Sequence, residues 1–260
     1  MHLLYALKLI VYDNAMRLDV FLVKSGLIKT RERAKEAIAS GAVFVSGKRA
    51  TKPSKNVSED ADVFVDDKAL NPYVSRAAYK LLGAIEAWGI DFARRRVLDI
   101  GASTGGFTQV ALEQGAERVY AVDVGTGQLA EELLKDARVI SLEQLDARAL
   151  TLAHIPESID IFVSDVSFIS IFKILPHIRQ FLVYGAEGVV LYKPQFELGR
   201  EHIGKGGIVA SDKALEAGLA KAPEQFAQCG FAVKGMTPSP ITGKDGNREY
   251  LFYLKQPKQD

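Results

Sequence analysis

The sequence predicts an α/β protein, a mostly parallel sheet with helices on both faces, preceded by a small basic α+β unit. Three observations carry that expectation. From Arg96 onward, short apolar runs alternate with helix-length segments, the mark of a parallel sheet whose strands are buried on both sides. A glycine-rich turn, Gly101-Ala-Ser-Thr-Gly-Gly106, directly follows the first run, at the strand end where an open α/β sheet binds its ligand. Charge is also uneven. Ten Lys or Arg face three acidic residues between Met16 and Asn56, although the whole chain balances 33 Lys+Arg against 32 Asp+Glu.

The 260 residues are 48% hydrophobic and 25% charged, which gives room for one or two cores and excludes a disordered chain. Cys229 is the single cysteine, so no internal disulfide forms and the reducing cytoplasm is the expected compartment. No uncharged apolar run approaches the roughly 20 residues of a membrane span; even Leu3 to Tyr12 is short and contains Lys8. Residues 1–15 lack a small-residue cleavage site and read as an extension upstream of a natural start at Met16.

The basic unit is expected over 16–67. Arg17-Leu18-Asp19-Val20-Phe21-Leu22 opens a short helix, and Thr30 is the N-cap of a second over Arg31 to Ser40, ended by Gly41. On that helix Ala34, Ala37 and Ile38 share one side while Arg31 and Lys35 share another. Val43-Phe44-Val45, the turn Ser46-Gly47-Lys48 and Asp62-Val63-Phe64-Val65 alternate as short strands. The plain meaning of the cations is a solvated face. Arg17, Arg31, Arg33, Lys35, Lys48, Arg49 and Lys52 instead suggest a surface that neutralises several backbone phosphates, since a helix and an adjacent hairpin supply them together.

Residues 68–75, with the turn signal Asn71-Pro72, form a linker, and the larger unit spans 76–260. Ser75 is the expected N-cap of a helix over Arg76 to Trp88. Lys80 lies among its apolar positions, where an ordinary lysine would snorkel outward. Strands follow at Val97–Ile100, Val119–Val122, Val139–Ile140, Ile159–Ser164 and Val189–Tyr192, with helices over Phe107 to Gln114 and Gly127 to Asp136. Phe231 to Met236 and Glu249 to Leu254 are an edge pair, and Gly199 to Gly207 is a mobile loop whose Arg200 and Lys205 face solvent or RNA.

The glycine turn is not a dinucleotide fingerprint, because G-x-G-x-x-G would need glycine at Ser103. Asp123 ends the second strand, 22 positions after Gly101, where a carboxylate accepts both hydroxyls of a ribose. A nucleoside cofactor is therefore indicated. Asp165 and Lys193 stand at the carboxyl ends of adjacent strands, and Lys80 and Glu249 can reach the same crevice. His2, His154, His177 and His202 have no metal-ligand spacing, so no metal is expected.

Three resemblances gather these features. Arg17-Leu-Asp, Thr30-Arg-Glu-Arg-Ala-Lys35 and Gly41-Ala-Val-Phe-Val-Ser-Gly-Lys48 resemble the S4 RNA-binding module. Val97-Leu-Asp-Ile-Gly-Ala-Ser-Thr-Gly-Gly106 with Ala121-Val-Asp-Val124 is similar to the first motifs of Rossmann-like class I methyltransferases that use S-adenosylmethionine. That likeness implies cofactor contacts from Gly101, Ser103, Gly105, Gly106, Phe107 and Asp123, and an adenine contact from Asp146, which is equally a loop or cap aspartate. Lys80, Asp165, Lys193 and Glu249, in that order, resemble the K-D-K-E tetrad of FtsJ-related ribose 2'-O-methyltransferases. Ser164-Asp-Val-Ser-Phe168 lacks the Asn/Asp-Pro-Pro-aromatic run of nitrogen methyltransferases. The whole of Met16 to Leu254 resembles the TlyA family.

The resemblance implies a cytoplasmic enzyme that methylates a ribose 2'-oxygen, a cytidine's by that likeness, in ribosomal RNA within ribosomal subunits, with no membrane partner. Lys193 is then the base, oriented by Asp165 in a coupled cluster with Lys80, and Glu249 positions Lys80 or the hydroxyl. A non-catalytic RNA-binding assembly factor, or a haemolysin as the family's other label suggests, are the alternatives.

Overall fold

The computed structural model describes residues 15–66, 72–243 and 246–257. Residues 1–14 of the expected extension and 68–71 of the expected linker lie outside the described residues. The chain divides into two compact units, Met1–Pro72 and Tyr73–Asp260.

In the first unit β1 (Met16–Arg17) leads into α1 (Leu18–Lys24) and α2 (Arg31–Ala39), followed by β2 (Val43–Val45), β3 (Lys48–Arg49), β4 (Asn56–Val57) and β5 (Val63–Val65). Thr30 is the N-cap of α2, its hydroxyl accepting the Arg33 amide. Ser46 and Gly47 both take positive φ, 50° and 72°, the backbone that a two-residue hairpin demands between β2 and β3. β2 is the centre of an antiparallel sheet, β3-β2-β5, and β1 pairs with β4. Leu18, Leu22, Ala34, Ile38 and Val43 fill the core.

The second unit runs α3 (Ala78–Trp88), β6 (Arg96–Ile100), α4 (Gly106–Glu113), β7 (Arg118–Val122), α5 (Glu131–Leu134), β8 (Val139–Leu142), β9 (Ile159–Ser164), α6 (Leu175–Ile178), β10 (Leu182–Tyr192), α7 (Pro194–Glu197), α8 (Asp212–Gln228), β11 (Ala232–Pro238) and β12 (Tyr250–Lys255). Its seven strands are ordered β11-β12-β10-β9-β6-β7-β8. The five from β10 to β8 are parallel, and β12 is antiparallel to both its neighbours. Strand order reverses between β6 and β9, which opens a crevice at the carboxyl ends. Val97 and Leu98 enter opposite cores: Val97 joins Leu81 and Val110 from α3 and α4, and Leu98 joins Ile178 and Phe226 from α6 and α8. Helices therefore cover both faces, as the apolar runs required.

Three local expectations are corrected, and one helix falls where no element was expected. α3 begins at Ala78 without a side-chain cap; Ser75 gives its carbonyl to the Ala78 amide instead. α5 is four residues long because Gly127, Gln128 and Leu129 donate their amides to the Glu143 carboxylate, at 2.6, 2.7 and 3.1 Å, and so are withdrawn from a helix. Gly199 to Gly207 is not a loose loop. Ile203 bridges Val209, and buried Asn247 donates to Gly207 O and accepts from Val209 N. α8 was not anticipated, although Leu215, Ala222 and Phe226 lie on its buried side and Ser211 caps it.

Candidate active site

Two neighbouring strands of the parallel sheet, β9 and β10, each deliver one functional side chain at the carboxyl end. Asp165 follows β9, and its amide still donates to Ile100 O of β6 at 3.1 Å, so the carboxylate stands at the sheet edge. Lys193 follows β10, and Pro194 at the first position of α7 turns the chain away there. Glu249 immediately precedes β12. Lys80 lies on the buried side of α3, only 7% exposed, so it does not snorkel.

These four form a continuous chain of charge. Lys80 Nζ is 2.8 Å from Glu249 Oε2 and 3.1 Å from Asp165 Oδ2, and Lys193 Nζ is 2.7 Å from Asp165 Oδ1. The Lys193 ammonium also donates to Ser167 Oγ at 2.7 Å. Side-chain exposure is 9% for both lysines, 14% for Asp165 and 3% for Glu249. Two buried cations against two buried anions leave the cluster without net charge, the condition under which such groups are tolerated away from water. Lys80 is clasped by two carboxylates, whereas Lys193 has one carboxylate and a hydroxyl.

Beside the tetrad is a cavity of about 460 Å³, lined by Gly101, Ser103, Asp123, Asp146, Asp165, Ser167 and Phe168, with Val122, Val124, Leu145, Val166 and Ile169 among its apolar walls. Gly101 has φ 79°, and a Cβ there would stand 3.1 Å from Asp165 O, so the turn can pass close to the β9 end only as glycine. Asp123 accepts the Ser103 amide at 2.8 Å and the Gly125 amide at 2.7 Å, one on each oxygen. Asp146 both lines the cavity and caps the following turn, accepting the Arg148 amide at 2.8 Å. The Arg148 guanidinium, 2.6 Å away, holds the Asp146 carboxyl below the usual carboxylate range.

The remaining residues expected at the cofactor face protein. A Cβ on Gly105 would strike Leu133 and Leu129, and one on Gly106 would strike Ser75 and the Ala78 amide. Phe107 is a core residue, 2% exposed. Their physical reason is the close approach of α4 to its neighbours.

Sequence reasoning gave no role to several residues here. Asp99, fully buried beneath the turn, accepts Thr108 Oγ1 at 2.6 Å through one oxygen while the other has no partner. Burial pushes its carboxyl up to about 7 against the Thr108 bond, with Asp165 and Asp123 adding to the rise. Ser167 holds Lys193. Phe168, at φ 66°, is 92% exposed at the cavity rim, a strained backbone and an open aromatic face that no local pattern encodes. Among the described residues, no group of three His, Cys, Asp or Glu stands together as a metal site.

In the first unit the expected cations divide into two kinds. Arg17 donates twice to Asp19, at 2.9 and 3.1 Å, and Arg31 once at 2.9 Å. Asp19 is fully buried, and the two guanidinium groups, Arg17 foremost, hold its carboxyl far below the usual range. Lys35, Lys48 and Lys52 are exposed. Arg49 lies across Gly41 and over the Phe44 ring at 5.7 Å. Arg33 is exposed one position beyond Glu32 on the first turn of α2.

Comparison with known proteins agrees with this geometry. The family described as FtsJ-like methyltransferase matches residues 73–256, and the S4 domain matches residues 16–63. The chain is 41% identical over 239 residues to the 16S/23S rRNA (cytidine-2'-O)-methyltransferase TlyA of Mycobacterium tuberculosis, covering 92% of this chain and 89% of that protein. It is 41% identical over 240 residues to Hemolysin A of Brachyspira hyodysenteriae, covering 92% and 99%. A solved structure from Streptococcus thermophilus, named after the hemolysins, superposes with a TM-score of 0.74 at 40% identity, covering 94% of this chain and 90% of that one. The chain belongs to the FtsJ-like methyltransferase family, as a TlyA-type member that carries an S4 domain in front of the methyltransferase domain.

Proposed function

We propose that this protein transfers the methyl group of S-adenosylmethionine to a ribose 2'-hydroxyl of ribosomal RNA, a cytidine's by likeness to its relatives, with the S4 domain holding the RNA. The observation that carries this reading is the buried Glu249–Lys80–Asp165–Lys193 chain opening onto the cavity through Asp165 and Ser167. The cavity residues suit the cofactor. Asp123 and Asp146, after successive strands, offer carboxylates for ribose and adenine, and Gly101 and Ser103 offer a close backbone.

When bound, S-adenosylmethionine supplies an electrophilic methyl carbon on a sulfonium. A ribose hydroxyl is a poor nucleophile at neutral pH, so its proton must leave as the new bond forms. Lys193 as the free amine is the base of this reading, taking the hydroxyl proton to become the ammonium paired with Asp165, because Lys80 is committed to two carboxylates while Lys193 ends the chain beside Ser167. Asp165 and Ser167 aim its Nζ, and Lys80 and Glu249 fix Asp165 in turn. The sulfonium loses its charge as the methyl moves and Lys193 gains one with the proton, so the net charge of the site is unchanged and alignment matters more than electrostatic stabilisation. Phe168 is placed to stack on the base of a nucleotide drawn out of its RNA, the sequence-tolerant role of an exposed ring.

The hemolysin name of some relatives is the ground for a second reading. No helix among the described residues is long and apolar enough to cross a membrane, and the tetrad has no role in such an activity. Incubation with methyl-labelled S-adenosylmethionine and separated ribosomal subunits, then digestion to nucleosides, tests the main reading. A labelled 2'-O-methylnucleoside is expected; label on a base would instead point to nitrogen or carbon methylation, and no label at all to an assembly factor.

A further inference from the structure

The wall of the cavity between Asp165 and Ile171 has no ladder to hold it. It leaves β9 as irregular chain, passes Phe168 in the left-handed region at φ 66°, and reaches helical turn only at Ile171. Ser167, Phe168 and Ile169 of this wall line the cavity. What fixes it comes from beside it, from the short segment Lys193 to Glu197 that follows the neighbouring strand β10.

Three contacts join the two segments in order. Lys193 Nζ donates to Ser167 Oγ at 2.7 Å, the Phe196 and Phe168 rings lie 5.3 Å apart at 50°, and Glu197 takes two hydrogen bonds. Ser170 Oγ donates to Glu197 Oε2 at 2.6 Å, and the Ile171 amide donates to Glu197 Oε1 at 2.8 Å. The Glu197 contact is the strongest of these by type, since a carboxylate accepting two donors forms charge-assisted bonds. Burial pushes the Glu197 carboxyl up, the two donors pull it down, and Lys173 is the nearby cation. α7 is a single turn, so a residue at its last position is rigidly coupled to Lys193, which caps its start.

We propose that Glu197 is a positioning residue for methyl transfer, clasping the cavity wall at Ser170 and Ile171 so that Lys193 and the bound cofactor keep one geometry. This rests on the reading of Lys193 as the base. Glu197 touches neither reactant. It acts by holding the base-bearing segment and the cofactor-lining segment together, and misplacement by about 1 Å costs on the order of 100-fold in such reactions.

The test compares Glu197→Ala, Glu197→Gln and Ser170→Ala in the full chain. Three quantities are read: single-turnover 2'-O-methylation at saturating RNA, affinity for S-adenosylhomocysteine by calorimetry, and hydrogen exchange at the Ile171 amide. Glu197→Ala is expected to slow methyl transfer by about 10- to 100-fold, weaken S-adenosylhomocysteine several-fold, leave RNA affinity unchanged and speed exchange at Ile171. Glu197→Gln, whose amide oxygen still accepts the Ile171 amide, is expected to restore most of the rate. Ser170→Ala removes one donor and is expected to fall between them, which keeps a readout should Glu197→Ala fold poorly. Unchanged rate and S-adenosylhomocysteine affinity in a variant whose Ile171 exchange has risen would overturn the proposal. Absence of 2'-O-methylation by the wild-type protein would sink the reaction reading instead, while calorimetry and exchange would still decide the clasp.

Discussion

Lys80→Met separates a buried ion chain from a surface lysine. The substitution keeps the length and apolar stem of the side chain and removes one charge. Glu249, 3% exposed, then loses the cation 2.8 Å away, and Asp165 keeps only Lys193. Removing one partner of a buried pair costs about 3–5 kcal/mol, which in a unit of this size lowers the melting temperature by roughly 6 to 20 °C. Adding Glu249→Gln removes the stranded anion, so the double variant should regain about 2 kcal/mol over Lys80→Met alone, and its loss should fall well short of the sum of the two single losses. Trp88 is the single tryptophan and belongs to the methyltransferase unit, so its fluorescence in urea reports that unit's unfolding. A cost below about 1 kcal/mol for Lys80→Met, or a double variant whose loss equals the sum of the two single losses, would refute the buried chain.

Other consequences follow from groups around the site. Asp99 keeps its proton to about 7 in the fold, whereas the unfolded chain releases it near 4. The folded state thus holds an extra proton between those values, and stability falls by about 4 kcal/mol as pH rises through the window. Asp99→Asn should gain on the wild type by a similar amount between pH 4.5 and 7.5 in urea titrations, and parallel curves would contradict it. Phe168→Ala should reduce methylation of folded RNA substrate by about 10-fold without altering the melting temperature, as expected for the loss of one stacked base worth about 1–3 kcal/mol; an unchanged rate removes the stacking role. Lys35→Ala, Lys48→Ala and Lys52→Ala should each lower the salt slope of RNA binding by about 1. Arg17→Ala should lower the stability of the S4 domain instead, because Arg17 is one of the two cations on buried Asp19.

The sheet was legible because parallel strands buried on both faces read as apolar runs, and β6, β7, β9 and the carboxyl end of β10 lie on those runs. The tetrad was legible because each member stands at a strand end or within an apolar helix face in recognisable company. What stayed hidden depends on partners remote in sequence. The truncation of α5 needs Glu143, the order of 199–209 needs Asn247, and the wall at Ser170 needs Glu197. Asp19 shows the same limit: Arg17 and Arg31 read as phosphate contacts, and their second task of neutralising the buried Asp19 carboxylate is visible only in the fold. Gly105 and Gly106 read as ligand contacts, yet helix packing already requires them.

The central claim is that the buried tetrad, with Lys193 at its open end, moves a methyl group onto a ribose oxygen. The direct measurement is single-turnover transfer to ribosomal RNA by wild-type protein and by Lys193→Ala, with S-adenosylhomocysteine and RNA affinities determined for both. The account predicts a labelled 2'-O-methylnucleoside from the wild type and a loss on the order of 100-fold or more in Lys193→Ala, at unchanged RNA affinity and with S-adenosylhomocysteine weakened no more than several-fold. Undiminished transfer by Lys193→Ala would contradict it.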